Sequence, residues 1–283
     1  MIVCLLLYYR THTFLSCLFW FPLLHHICRV PLYCCLFVAV QAVCKNCTAG
    51  DYCPRLGTIN PSVCSPGRYC PTGTGELQPK CPEGTFNPAN SQDELSDCQL
   101  CTGGDVCSAS GLSAPNDQCD AGYWCGSGAL NRQGATGIRG GSGGECPVGT
   151  YCPANADAPT NCTTGTFNPK VRGTSSNSCV PCRPGYYCAS EMLSEPTGVC
   201  SEGHFCRLGA SVPNPTDGVT GDECPVGHFC LANSTLPMPC EGGTFANVTG
   251  LSECYPCEAG FFCTAGATGG QEFQCPVGFF CEA

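Results

Sequence analysis

Cysteine is the residue type in this sequence whose number and spacing could support chemistry. There are 32 Cys among 283 residues, and four Cys-x-x-Cys pairs occur, at Cys44/Cys47, Cys98/Cys101, Cys179/Cys182 and Cys254/Cys257. Each pair could form half of a zinc site, but the second pair of such a site normally follows after about 12–20 residues. Here successive pairs are more than 50 residues apart. The spacing therefore favours disulfide bonds, and a cytosolic zinc- or redox-active thiol protein is the less favoured alternative.

Other catalytic patterns are not recognisable in the sequence. There is no Ser-His-Asp order, Gly-rich phosphate loop or pair of carboxylates, and His204 and His228, at equivalent positions, are interpreted as solvated side chains. We therefore expect no enzyme, cofactor, metal ion or small-molecule substrate. The net charge of −10, with only 12 Lys plus Arg, excludes the basic surface that nucleic acids attract.

A short module contains most of the cysteines after Val43. It reads Cys, two residues, Gly, one residue, an aromatic residue and Cys, as from Cys47 to Cys53. Ten copies end in Cys, although Val106 replaces the aromatic residue in one of them. Three further copies read Cys-x-x-Gly-Thr-Phe without a final Cys and begin at Cys81, Cys162 and Cys240. The Gly of each copy permits a sharp turn of the chain.

The aromatic residue of each module is predicted to cover a disulfide. A fold with little core needs such apolar cover, so each ring is expected to pack on the cystine of its own module. The alternative is an exposed ligand-binding strip that includes Tyr52, Tyr69 and Phe205.

The modules group into a longer repeat of roughly 80 residues. Residues 81–161 and 162–239 each hold eight similarly spaced Cys, 43–80 is a partial unit, and 240–283 is a truncated unit. A fixed period is typical of an elongated array, and abundant Cys, Gly and Pro indicate small disulfide-dependent units. We predict a small disulfide-rich fold: an elongated array of cysteine-rich repeats with short β-hairpins, irregular loops and little helix.

Residues 1–42 differ in composition from the array. They are rich in Leu, Phe, Tyr and Val, contain two Arg and no Asp or Glu, and end in Val40-Gln41-Ala42. These features are typical of a secretory signal peptide, although this leader is longer than the usual length of about 15–30 residues. A signal anchor and a mis-called start of translation are the alternatives.

Four Asn-x-Ser/Thr sequons occur, at Asn46, Asn161, Asn233 and Asn247. The middle residue of the first two is Cys, which is expected to enter a disulfide early. Asn233 and Asn247 are therefore the predicted N-glycosylation sites.

The three Gly-Thr-Phe modules predict part of the disulfide pattern. Their first Cys lacks the partner that other modules have after five intervening residues, and the next available Cys begins a Cys-x-x-Cys pair. We therefore predict the bonds Cys81–Cys98, Cys162–Cys179 and Cys240–Cys254, although spacing alone does not settle a disulfide pattern.

The same three places carry a resemblance to a known family. The segment Cys162-Thr-Thr-Gly-Thr-Phe-Asn, followed by Ser-Cys179-Val-Pro-Cys182-Arg-Pro-Gly-Tyr-Tyr, resembles the ephrin type-A/B receptor-like cysteine-rich repeat. Growth-factor-receptor cysteine-rich arrays share the pattern more distantly. The resemblance covers residues 44–281 and implies an extracellular, disulfide-bonded module of receptors and large surface proteins. It does not imply ephrin binding or a kinase, because neither domain is in the sequence.

The resemblance also implies a pairing for the next four Cys of each unit. They would interleave as Cys101–Cys119 with Cys107–Cys125, and as Cys182–Cys200 with Cys188–Cys206. Direct closure of each module is the alternative.

These expectations together favour a non-enzymatic extracellular protein, either secreted or part of a membrane-protein ectodomain. Its role would be structural or adhesive, or that of a receptor-ectodomain segment presenting a surface to extracellular proteins. The alternative is a protective surface-coat protein without a specific ligand. Contact with a membrane is expected only through the N-terminal segment or a C-terminal anchor outside this sequence.

Overall fold

The computed structural model describes residues 34–36, 43–135 and 142–282. The leader predicted at 1–42 lies outside the described residues, apart from a strand at Cys34–Leu36 that pairs antiparallel with Val43–Lys45. The signal peptide and its two alternatives therefore stay predictions.

Short antiparallel hairpins make up nearly all of the regular structure. In the described ranges, 24 strands of two or three residues form twelve two-stranded sheets, and two 3-10 helices lie at Leu95–Asp97 and Ser176–Ser178. The strand pairs are β1 Cys34–Leu36 with β2 Val43–Lys45, β3 Asp51–Tyr52 with β4 Ser62–Val63, β5 Thr85–Phe86 with β6 Gln99–Leu100, β7 Asp105–Val106 with β8 Asp117–Gln118, β9 Tyr123–Cys125 with β10 Gly143–Glu145, β11 Thr150–Tyr151 with β12 Thr160–Asn161, β13 Thr166–Phe167 with β14 Val180–Pro181, β15 Tyr186–Tyr187 with β16 Gly198–Val199, β17 His204–Cys206 with β18 Gly221–Glu223, β19 His228–Phe229 with β20 Met238–Pro239, β21 Thr244–Phe245 with β22 Tyr255–Pro256, and β23 Phe261–Phe262 with β24 Phe273–Gln274.

The glycine of a module closes the turn that leads into its hairpin. In the module that begins at Cys200, the N–H of His204 donates to the carbonyl of Ser201 over 3.2 Å, and Gly203 between them has a φ of 77°. A type II turn needs a positive φ at its third residue, which Gly adopts without steric cost. The first strand of the hairpin therefore begins directly after the glycine.

Backbone hydrogen bonds through the same glycine join each module to the next. The N–H of Gly149 donates to the carbonyl of Asn168 in the following module (2.8 Å), and its own carbonyl accepts the N–H of Cys162 (2.9 Å). Equivalent bonds recur at every junction between successive modules from Cys47 to Cys281. The modules therefore form one continuous ladder in which each unit contacts its neighbours, as in other repeat proteins.

The ladder continues across the limits of the repeats of roughly 80 residues. The same donor bond crosses each predicted boundary, from Gly67 to Asn87, from Gly149 to Asn168 and from Gly227 to Ala246. The longer period is consequently not marked by any break in the hydrogen bonding between modules.

The core of the array consists mainly of cystines, and four of them pack with an aromatic side chain of the preceding module. Trp124 packs on the cystine Cys146–Cys152, and Tyr187 packs on Cys200–Cys206. The prediction that each ring covers the cystine of its own module was wrong for these four rings, whereas Tyr123 packs against Cys119–Cys125 of its own module. Successive side chains of a strand point to opposite faces, so the ring next to a Cys faces away from that Cys and toward the following unit.

The described residues confirm the predicted fold class. They form a small disulfide-rich array of short two-stranded hairpins, and no helix among them is longer than three residues. Within the same ranges no helix is long and apolar enough to cross a membrane.

Candidate functional site

Thirteen disulfide bonds are formed in the part of the chain that the structure describes. Ten close a module internally, with Cα–Cα distances of 5.7–6.1 Å. Three longer bonds join Cys81 to Cys98, Cys162 to Cys179 and Cys240 to Cys254, with Cα–Cα distances of 5.5–5.8 Å. These three are the pairs that the Gly-Thr-Phe modules predict, and all thirteen distances are usual for disulfides.

The interleaved pairing implied by the family resemblance is not formed. The bonds instead close each module directly, as Cys101–Cys107, Cys119–Cys125, Cys182–Cys188 and Cys200–Cys206. The reason is the glycine turn, which reverses the chain inside the module and brings its two Cα atoms within bonding distance. Direct closure, the alternative left open by the sequence, is therefore the observed pattern.

Two buried asparagines occupy the position of the missing second Cys in Gly-Thr-Phe modules. Asn87 and Asn168 are only 1% and 2% exposed. The Nδ2 of Asn168 donates to the carbonyl of Thr150 in the preceding module (2.8 Å), and its Oδ1 accepts the N–H of Lys170 (3.0 Å). Asn87 makes the equivalent pair of bonds. Sequence reasoning missed this role, although the shared Gly-Thr-Phe-Asn motif was a visible signal.

Replacing Asn168 by Ala is expected to lower the free energy of unfolding by about 2 kcal/mol, because buried backbone groups lose a hydrogen-bond partner. The third copy carries Ala246 at this position, so an Ala side chain is compatible with the local fold. Denaturant unfolding of the oxidised protein measures the change. Asn177→Ala, at an exposed Asn of the same loop, is the control, with an expected change within about 0.5 kcal/mol. Equal effects of the two substitutions would contradict the assignment.

The predicted glycosylation sites are both accessible. Asn233 and Asn247 are exposed, as attachment of an N-glycan requires. Asn46 and Asn161 are exposed as well, and each precedes a Cys that is disulfide-bonded. Exposure alone therefore does not separate the two pairs of sequons, and glycosylation at Asn233 and Asn247 stays a prediction.

Most of the Cys residues considered for metal or redox chemistry form disulfides, and the two His residues lie near backbone carbonyls. Both cysteines of three Cys-x-x-Cys pairs are bonded to other partners, and in the fourth pair Cys47 is bonded to Cys53. The Nδ1 atoms of His204 and His228 lie 3.5 and 3.1 Å from backbone carbonyls two residues earlier. Across the described ranges, no group of three or more His, Cys, Asp or Glu is placed to hold a metal ion.

The alternative of an exposed aromatic strip does not hold for Phe205. Phe205 is 5% exposed and packs on the cystine Cys224–Cys230, while Tyr52 and Tyr69 are half-buried. The ring of Phe205 is therefore not available to a ligand.

Several basic side chains contact acidic or aromatic side chains of the array. The guanidinium of Arg132 lies 3.6 Å from Asp117 and 2.9 Å from Asp120, and three further guanidinium groups stack 4.0–5.2 Å from ring centroids, at Arg172 on Tyr123, Arg183 on Tyr186 and Arg207 on Phe205. No Lys or Arg follows Arg207 in the sequence, whereas eight Asp or Glu do. The last third of the chain is therefore acidic.

One of these acidic residues is stabilised in its charged form. The hydroxyl of Thr220, followed by the backbone N–H of Val219, lowers the pKa of Asp217 from its ordinary value. The carboxylate accepts hydrogen bonds from Val219 and Thr220 and so ties together an exposed loop before Cys224.

The disulfide frame and the hydrogen-bonded modules define the class of protein, which is a disulfide-rich repeat array. Comparison with models of known protein families and with curated proteins gave no match for this chain. The class is therefore defined by the modules themselves.

Proposed function

We propose that this chain is part of a non-enzymatic extracellular protein, either secreted or the ectodomain of a membrane protein, with a structural or adhesive role. The observation that carries the proposal is that cystines form the core. Cytosolic thiols are kept reduced, and few apolar side chains other than Cys are buried in the described ranges, among them Val106, Phe205 and five Ala. An oxidising compartment is therefore the environment in which this fold is stable.

The repeated ladder supports a role in spacing and display. Elongated repeat proteins bind partners along extended surfaces rather than in a single deep site, and the partners proposed here are other extracellular proteins. The resemblance to ephrin type-A/B receptor-like repeats supports the same environment, although the disulfide pairing between the Gly-Thr-Phe modules differs from the one that the resemblance implies. The acidic last third would disfavour binding to anionic lipids or nucleic acids.

Counting thiols tests the compartment. The full chain, expressed in eukaryotic cells and denatured before reaction with a thiol reagent, is expected to be exported with few or no reactive thiols. A chain that stays in the cytosol with nearly all 32 Cys reactive would overturn the proposal and favour the zinc or redox alternative.

Binding to cells separates an adhesive role from that of a passive coat. The secreted protein is expected to bind a cell surface saturably, whereas the reduced and alkylated protein serves as the control and should not. Absence of saturable binding on every cell type tested would favour the protective-coat alternative.

A further inference from the structure

Two adjoining apolar clefts lie on the loop that follows the module ending at Cys230. One, of about 350 Å³, is lined by 231–238, and the other, of about 340 Å³, is lined by Pro184, Arg207, Leu208, Thr235 and Leu236. Leu208 and Leu236 are 58% and 63% exposed. Single exposed leucines are normal on a protein surface, so these two matter only together with the residues that share their clefts.

The sequon Asn233-Ser234-Thr235 is part of the cleft wall. All three residues line the first cleft, and Thr235 lines the second as well. The acceptor Asn233 is exposed and lies between Leu231 and Leu236 in the sequence. A group attached to its Nδ2 would therefore begin at the cleft.

The backbone fixes the position of this acceptor. The N–H of Asn233 donates to the carbonyl of Cys200 (3.0 Å), and its φ of 69° is left-handed. Its side-chain oxygen Oδ1 lies against Gly185: a Cβ added to Gly185 would be only 2.5 Å from this oxygen. Asn155 has the same relation to Gly104, so the ladder imposes the conformation and holds the acceptor amide in place.

We propose that an N-linked glycan on Asn233 is a structural part of the fold, with its first N-acetylglucosamine seated on the apolar clefts beside Leu208 and Leu236. The sugar would offer its C–H face to the leucines and its hydroxyl groups to water. This inference rests on the proposed extracellular function, because the glycan is attached during export. Asn247 lines neither of these clefts, so a glycan there would only add soluble bulk.

The test compares two variants of the full secreted chain, Asn233→Asp and Asn247→Asp. Each variant removes one sequon and places Asp at the acceptor position, so the two substitutions are chemically identical. Asp tolerates a left-handed backbone about as well as Asn. Fluorescence of an uncharged apolar-surface dye such as Nile red is expected to rise about twofold or more for Asn233→Asp, because the clefts become uncovered. Asn247→Asp should match the parent protein. Glycopeptide mass spectrometry of the parent establishes occupancy of both sites.

Enzymatic trimming locates the effect within the glycan. Endoglycosidase treatment that leaves a single N-acetylglucosamine should keep the dye signal low, whereas full removal should raise it to the level of Asn233→Asp. Unmodified Asn233 on a secreted, disulfide-bonded protein, or equal dye signals from both variants, would overturn this inference alone. A chain that is not exported would overturn it together with the proposed function.

Discussion

Reduction and alkylation of every cysteine is expected to abolish the ordered structure, leaving no cooperative unfolding transition. Removing one native bridge from a small secreted domain costs about 2–5 kcal/mol, while the whole stability of a domain is about 5–15 kcal/mol. Thirteen bonds are described here, and hairpins with strands of two or three residues are not stable alone. The loss therefore exceeds any stability that the ladder retains.

Amide dispersion in an NMR spectrum, together with a calorimetric scan, measures this loss. The control is the unreduced protein treated with the same alkylating reagent, which should keep its dispersion and its transition. A reduced and alkylated chain that still melts cooperatively would show that the ladder and aromatic packing suffice without cystines.

The second large effect is expected from Gly149→Ala. Gly149 has a φ of 76°, and an added Cβ would collide with the carbonyl of Met192, two modules further along the chain. That carbonyl cannot easily move, because the N–H of Met192 is bonded to the carbonyl of Cys162 (3.0 Å). A left-handed conformation costs an L-residue about 1–2 kcal/mol, and overpacking adds about 1–3 kcal/mol. We expect a loss of about 3 kcal/mol or more in the free energy of unfolding.

Gly243→Ala is the matched control for this substitution. Gly243 holds the same position in its module and also has a positive φ, of 94°, but an added Cβ would meet nothing within 4 Å. Only the conformational cost of about 1–2 kcal/mol should appear. Denaturant unfolding of the two oxidised variants gives the comparison. If they are equally destabilised, the close approach between modules does not contribute to stability.

The parts of the fold that could be predicted are the local ones. The Gly position in each module predicts the turn, because few other residues accept a positive φ there. Absence of a nearby second Cys in the Gly-Thr-Phe modules predicts the bond from Cys162 to Cys179, because the next available Cys lies at the end of one loop. The fold class follows from the same repeated spacing.

The parts that could not be predicted depend on neighbouring modules. Asn168 bonds to Thr150, which lies 18 residues earlier in another module, so no local pattern reveals its partner. The left-handed Met192, with a φ of 61°, is likewise held by contacts from the preceding units, and its residue type would not suggest that conformation. The direction in which each aromatic ring packs depends on the alternation of its strand, which the Cys spacing does not encode.

Disulfide mapping of the secreted, non-reduced protein is the most direct test of the central claim that each module is closed locally. Free thiols are first blocked at acid pH, and the protein is then cleaved after Glu, which releases 146–191, 196–202 and 203–223. Local closure predicts that 196–202 is bonded to 203–223 through Cys200 and Cys206, while 146–191 is closed on itself. Peptide 146–191 bonded to either of the other two would contradict local closure and support the interleaved pattern.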